Sequence, residues 1–394
     1  MSSKVPKLRF NGFSGEWEEN KESIKIVSGN NYPLNSYDKQ GILLIQGLNI
    51  NPNKLKLDKP IYISPNYQTN NHIIIKKNDI LIGLNRPIID NKLKICLFNQ
   101  DKAYLYQRAG LLSFSKDKLE NKFLYYYLSS NIFLKQLLLE LVGSDQPYIK
   151  SDLFQKTKNI FPKNIKEQQK IANCLSSLDN LIESQNKKVK ALEKHKKGLM
   201  QNLFPKDSDK EPKLRFDGFS GEWDEKEFEE IFNRIPSKQY QINSSDYLEI
   251  GTYPVIDQGK QNIVAFSNDN SKVIQDNKGL IVFGDHTRIL KYIDFDFIVG
   301  ADGTQLINAK ENFDIKFFYY QLLNNIIPNT GYNRHFKFLK EINFRVPCKK
   351  KEQKKIANCL SSLDNLIEEQ NKKIKTLEKH KKGLMQQLFV NSED

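Results

Sequence analysis

Two stretches of the chain carry apolar positions at alternating four- and three-residue intervals. The first runs Ile171, Leu175, Leu178, Ile182, Gln185, Val189, Leu192, Lys196, Leu199, Leu203. The second runs Ile356, Leu360, Leu363, Ile367, Gln370, Ile374, Leu377, Lys381, Leu384, Leu388. This spacing is the seam of a coiled-coil strand and predicts helices over 167–203 and 352–388. Pro162, Pro205 and Pro347 mark their ends, because proline and the residue before it leave the helical region. Each helix spans roughly 55 Å at its rise per residue, far more than a small domain needs. Two stripes of equal length in one chain are most simply buried against each other. A parallel pair would set Lys196 against Lys381; an antiparallel pair centred on Gln185 and Gln370 separates them, so the antiparallel arrangement is predicted. Leu178, Gln185, Leu192, Leu363, Gln370 and Leu377 then form its seam.

Outside these helices the pattern is mixed α/β. Apolar runs at 41–46, 72–76 and 79–83 predict strands, and 122–142 an amphipathic helix. In the second half, 253–258, 279–283, 291–293 and 297–299 predict strands and 315–326 a helix. Polar and glycine-rich loops intervene. They hold Asn85, Arg86, Gln107, Arg108, Ser144, Gln146 and Tyr148 in the first half. The second half has Gln258, Lys260, Gln261, His286, Thr287, Arg288, Asn333, Arg334 and His335. Arg, Gln and Asn on loops make two-pronged hydrogen bonds to guanine or adenine edges. The same side chains also cap turns, and both roles stay open at each position.

The chain repeats itself. Glu167–Leu203 returns as Glu352–Leu388 with five substitutions, and Lys7–Trp17 (KLRFNGFSGEW) returns as Lys213–Trp223 with one. The regions between share no obvious sequence. The boundaries expected are a first variable domain at 1–162, a helix region at 163–205, a second variable domain at 206–347 and a helix region at 348–394. Antiparallel pairing makes this plan pseudo-twofold symmetric.

Charge sharpens the reading. The chain has 394 residues and net charge +14. Nine Lys face four acids over 163–203, and eleven face five over 348–388, so most of the excess rides on the helices. A polyanion is the partner to test, beside a plain solvated face. Four cysteines form no C-x-x-C pair, and no long apolar stretch is present, so a reduced, cytoplasmic setting and no membrane partner are expected. No metal site is expected. Motifs for nucleotide phosphates, dinucleotides, zinc hydrolysis or amino-group methylation are missing. Glu120-Asn121-Lys122 has nuclease-like spacing, but it opens an amphipathic segment and reads as a helix start.

Together these features closely resemble the specificity subunit of type I restriction-modification enzymes. The resemblance rests on Pro162 or Pro347 followed by Glu-Gln-x-Lys-Ile-Ala (Glu167–Ala172, Glu352–Ala357), on Leu-Asp-Asn-Leu-Ile, and on Lys-Lys-Gly-Leu-Met-Gln, each present twice. It implies two target recognition domains joined by an antiparallel coiled coil, and a bipartite double-stranded DNA target with a fixed spacer. It also implies methylation subunits that bind S-adenosylmethionine and restriction subunits that bind ATP and Mg. This chain itself would then hold no cofactor and no catalytic residue. The competing reading is a self-contained DNA nuclease or methyltransferase.

Overall fold

The computed structural model describes residues 4–20, 24–67, 72–143, 145–206, 209–275, 279–300, 303–325, 327–328, 331 and 333–391. Its helices are α1 (Asn121–Leu128), α2 (Asn131–Glu140), α3 (Leu153–Lys156), α4 (Ile165–Leu203), α5 (Phe228–Ile231), α6 (Ile315–Asn324), α7 (Phe336–Lys340) and α8 (Lys350–Leu388). The chain divides into two compact units, Met1–Gln185 with Lys373–Asp394, and Asn186–Lys372. Each unit therefore takes part of α4 and part of α8.

In the first unit a four-stranded antiparallel sheet is ordered Ile95–Leu97, Ile80–Gly83, Ala109–Ser113, Lys25–Ser28. A five-stranded mixed sheet is ordered Tyr37–Asp38, Ile61–Ile63, Ile42–Ile45, Lys102–Leu105, Ile74–Lys76, with one parallel pair that sets Leu44 opposite Tyr104. Successive side chains on a strand face opposite sides. Leu81 accordingly joins Ile45, Ile75 and Leu105 between the sheets, while Ile80 and Ile82 face Phe123, Tyr127, Phe133, Ile171 and Leu388. Both faces are covered, which is why this strand reads as an unbroken apolar run.

The second unit repeats the plan. Its four-stranded sheet is ordered Phe232–Ile235, Thr304–Ala309, Leu280–Gly284, Leu290–Ile293, and its mixed sheet Ala265–Ser267, Tyr253–Ile256, Phe297–Val299, Val273–Ile274. Val255 and Ile298 make the parallel pair. Ile281 and Phe283 face the helices, and Leu280 and Val282 the mixed sheet. The two variable regions thus share a topology that their sequences do not display.

Within the first unit, Ile171, Ala172 and Leu175 of α4 pack with Leu384, Met385 and Leu388 from the end of α8. Within the second, Leu199, Met200 and Leu203 pack with Ile356, Ala357 and Leu360. The helices therefore pair antiparallel in each. The four-three positions are the covered ones: Leu178, Gln185, Leu192, Leu363 and Leu377 are half-buried and Gln370 is buried. The two lysines on the stripe find carboxylates. Lys381 Nζ lies 2.6 Å from Asp179 Oδ1, and Lys196 Nζ 2.5 Å from Asp364 Oδ1.

Two predicted elements are corrected. The single helix over 122–142 is two, because the Ser130 hydroxyl accepts from Phe133 N at 3.3 Å and caps a new start. The helix from Ile315 stops at Asn324, and Ile326 lies outside the described residues. Strands Lys25–Ser28, Ala109–Ser113, Phe232–Ile235 and Thr304–Ala309 were not predicted. Interleaved Lys, Gly, Asn, Arg and Gln break their apolar pattern.

Candidate nucleic-acid interface

Loops over the ends of the strands can only present side chains in a fixed way if their own backbones are fixed. Beneath them, each unit fastens its variable region to the helices by a repeated set of bonds. Glu167, 2% exposed, takes Arg9 Nε and Nη2 at 2.8 and 2.9 Å, with Trp17 Nε1 at 3.2 Å. Glu352, also 2% exposed, takes Arg215 Nε and Nη2 at 2.8 and 3.0 Å. Bidentate pairing of this kind satisfies a buried carboxylate that would otherwise be costly. The next residue grips the start of a recognition-region helix, α1 in the first unit and α6 in the second: Gln168 Oε1 accepts from Glu120 N at 2.7 Å, and Gln353 Oε1 from Asp314 N at 2.9 Å. Leu8 N donates to Gln387 O at 3.0 Å and Leu214 N to Asn202 O at 2.9 Å, so each copy of the KLRF motif docks on the end of a long helix.

A third repeated contact joins recognition region to seam. Tyr126 OH donates to Asp179 Oδ2 at 2.8 Å and Tyr320 OH to Asp364 Oδ2 at 2.7 Å. Lys381 and Lys196 lie 5.0 and 5.1 Å above the respective rings. Burial, reinforced by the adjacent carboxylate, pushes both phenols well above their ordinary value.

In the first unit three predicted loops converge through their backbones. Leu84 N donates to Arg108 O at 3.0 Å, Ile149 N to Leu84 O at 2.9 Å, and Arg86 N to Pro147 O at 2.7 Å. Asn85 bridges to Tyr148. Arg86 and Arg108 have φ of 44° and 67°, a left-handed conformation costly for a side-chain-bearing residue. Their side chains and that of Gln146 are exposed, Tyr148 is 39% exposed, and Asn85 is half-buried. Gln107 is half-buried, its Nε2 donating to Tyr106 OH at 3.4 Å. Ser144 lies outside the described residues.

In the second unit side chains do much of the joining. Gln258 Oε1 accepts from His286 N at 3.1 Å, and Gln258 O from the Thr287 hydroxyl at 2.6 Å. Arg288, at φ 62°, donates from Nη1 to Ile327 O at 3.0 Å. His335 is 0% exposed: its N donates to Asp285 O at 2.8 Å and its Nδ1 lies 2.9 Å from the same oxygen. Gln258, Thr287, Arg288 and His335 therefore build the loops, because polar groups near a core must be paired. Lys260, Gln261, Thr287, Asn333 and Arg334 are exposed, and His286 is half-buried.

Sequence reasoning missed the Arg9–Glu167 and Arg215–Glu352 clamps, although each partner lies in a segment repeated almost unchanged. Two buried lysines, Lys94 and Lys291, were also missed. Among the described residues no three His, Cys, Asp or Glu side chains group as metal ligands, and no helix is long and apolar enough to cross a membrane.

A family model described as Type I restriction modification DNA specificity domain matches residues 17–194 and 220–379. The chain is 34% identical over 194 residues to the Type I restriction enzyme MjaVIII specificity subunit of Methanocaldococcus jannaschii, covering 48% of this chain and 45% of that protein. It is 27% identical over 413 residues to the putative type I restriction enzyme MjaX specificity subunit of the same organism, covering 95% and 93%. The chain thus spans under half the length of the first relative and nearly all of the second. A crystal structure of the type-I restriction-modification system S subunit from M. genitalium superposes with a TM-score of 0.66 at 17% identity, over 99% of both chains, and shares the fold.

Proposed function

Because the chain belongs to the family of type I restriction-modification DNA specificity subunits, we propose that it reads a bipartite duplex DNA target, one half with each unit, and directs partner subunits to it. The observation that carries this reading is a contrast inside the molecule. The bonds that tie recognition region to helix repeat almost atom for atom, while the exposed loop residues differ, Arg86, Arg108 and Gln146 against Lys260, Gln261 and Arg334. One frame holding two different readers is what two unlike half-sites require. Exposed Arg and Gln supply base-edge contacts, and the Lys-rich helices supply phosphate attraction.

In this reading the chain performs no chemistry. Methylation subunits with S-adenosylmethionine and restriction subunits with ATP and Mg act in the cytoplasm on the DNA that it selects. The test is to map methylated bases across the genome in cells with and without the chain, and again after residues 225–345 are replaced by another such region. One half of the target is expected to change. A change in both halves, or cutting or methylation of DNA by the purified chain alone, would overturn the proposal.

A further inference from the structure

Lysine is almost never fully buried unless it is paired. In the second unit Lys291 is 5% exposed and lies on Leu290–Ile293, the edge strand next to Leu280–Gly284. Its ammonium donates to Asp257 O at 2.7 Å and to Gln261 O at 2.6 Å, and lies 3.6 Å from Asp257 Oδ1. Those two carbonyls close the turn Asp257-Gln258-Gly259-Lys260-Gln261, whose interior is braced by Gly259 N donating to Asp257 Oδ1 at 2.8 Å. The exposed side chains of Lys260 and Gln261 stand on this turn.

The first unit has a counterpart at the corresponding edge. Lys94, 7% exposed, directly precedes the strand Ile95–Leu97 that pairs with Ile80–Gly83. Its Nζ approaches Asn85 O at 3.4 Å, and its amide donates to Pro87 O at 2.6 Å. A Cβ on Gly83 would come within 2.8 Å of Lys94 Cε, so glycine there leaves room for the buried stem. Burial holds both ammonium groups below the ordinary lysine range, against the pull of Asp257 in the case of Lys291. Burying a cation is expensive, and in each unit the bonds that offset it run to the main chain of a candidate reading loop.

We propose that Lys291 is a positioning residue for base recognition. Its ammonium staples the two ends of the 257–261 turn, so that Lys260 and Gln261 meet one half-site in a single geometry. Lys94 holds the loop that carries Arg86 at one carbonyl, that of Asn85. The inference rests on the DNA-reading function proposed above and deepens it, since neither lysine touches DNA.

The test uses the chain assembled with its methylation subunits and a library of duplexes randomised at the target. Lys291→Met keeps the stem and removes the charge. It is expected to lose tenfold or more of the discrimination among bases in one half-site, with the other half unchanged. Gln261→Ala should lower discrimination in the wild type but add little in the Lys291→Met background, because a residue acting through the turn is coupled to it. Unchanged discrimination, or two effects that simply multiply, overturns the proposal. If Lys291→Met does not fold, Asp257→Ala loosens the same turn while keeping both carbonyls, and Lys94→Met tests the other half-site; each must relax its own half. A wild-type complex without sequence preference would instead remove the DNA-reading function itself.

Discussion

Glu167 holds Arg9 and also Trp17, while Glu352 holds Arg215 and the Trp223 indole N–H is buried without an acceptor among the described residues. That is a small departure between two otherwise matching clamps. The loops differ in kind. Those of the first unit are joined mostly by main-chain bonds among Leu84, Arg86, Arg108, Pro147 and Ile149, and those of the second mostly by the side chains of Gln258, Thr287, Arg288 and Lys291, beside the main-chain bond from His335 to Asp285. The difference teaches where sequence is free to vary. Main-chain joints tolerate exchange of exposed residues, whereas side-chain joints tie loop identity to loop shape.

The comparison can be broken most forcefully at the seam. Leu178→Asp and Leu363→Asp each place a carboxylate on an apolar stripe, at a cost on the order of 4 kcal/mol. Melting of the two variants should fall together, and wild-type stability in either one contradicts the shared frame. Next come the clamps. Glu167→Gln and Glu352→Gln should each cost about 3 kcal/mol by leaving a part-buried Arg without its anion. The amide oxygen that remains in the first variant still accepts from Trp17 Nε1, so the two costs should be equal, and denaturant unfolding reads them.

Smaller effects sharpen the contrast between loops. Arg86→Gly and Arg108→Gly relieve a left-handed backbone and should stabilise by about 1 kcal/mol while weakening target discrimination. Arg288→Gly gains the same relief but loses the bond to Ile327, so its melting should stay near wild type. The gentlest probe is pH. The phenols of Tyr126 and Tyr320 have folded pKa values raised above the ordinary 10, so their contribution is complete below pH 10. It is lost as pH rises further, because the unfolded chain ionises first. Denaturant melts from pH 8 to 11 should show both units weakening together.

The seam was legible because a four-three stripe has few other uses. The doubly covered strands Ile80–Gly83 and Leu280–Gly284 were legible as apolar runs. Their neighbours were not: in Phe232–Ile235 the consecutive Asn233 and Arg234 break the alternation, and Ala109–Ser113 contains a glycine. In the loops, composition indicated polar chemistry without saying which groups stay free. The bonds of His335 to Asp285 and of Arg288 to Ile327 join residues distant in sequence, so no local pattern announces them. Lys94 and Lys291 escaped for the opposite reason, since lysine in a basic chain is assumed to be solvated.

The grip of Gln168 and Gln353 has a genetic consequence. Gln168 bonds to Glu120 N, Lys118 O and Pro162 O, and Gln353 to Asp314 N and Pro347 O, all main-chain atoms, the carbonyls supplied by any residue and the N–H groups by any but proline. An incoming coding segment therefore needs no matching side chain at these joints to be held. What such a segment must bring is one side chain for the seam, the tyrosine that Tyr126 and Tyr320 supply to Asp179 and Asp364.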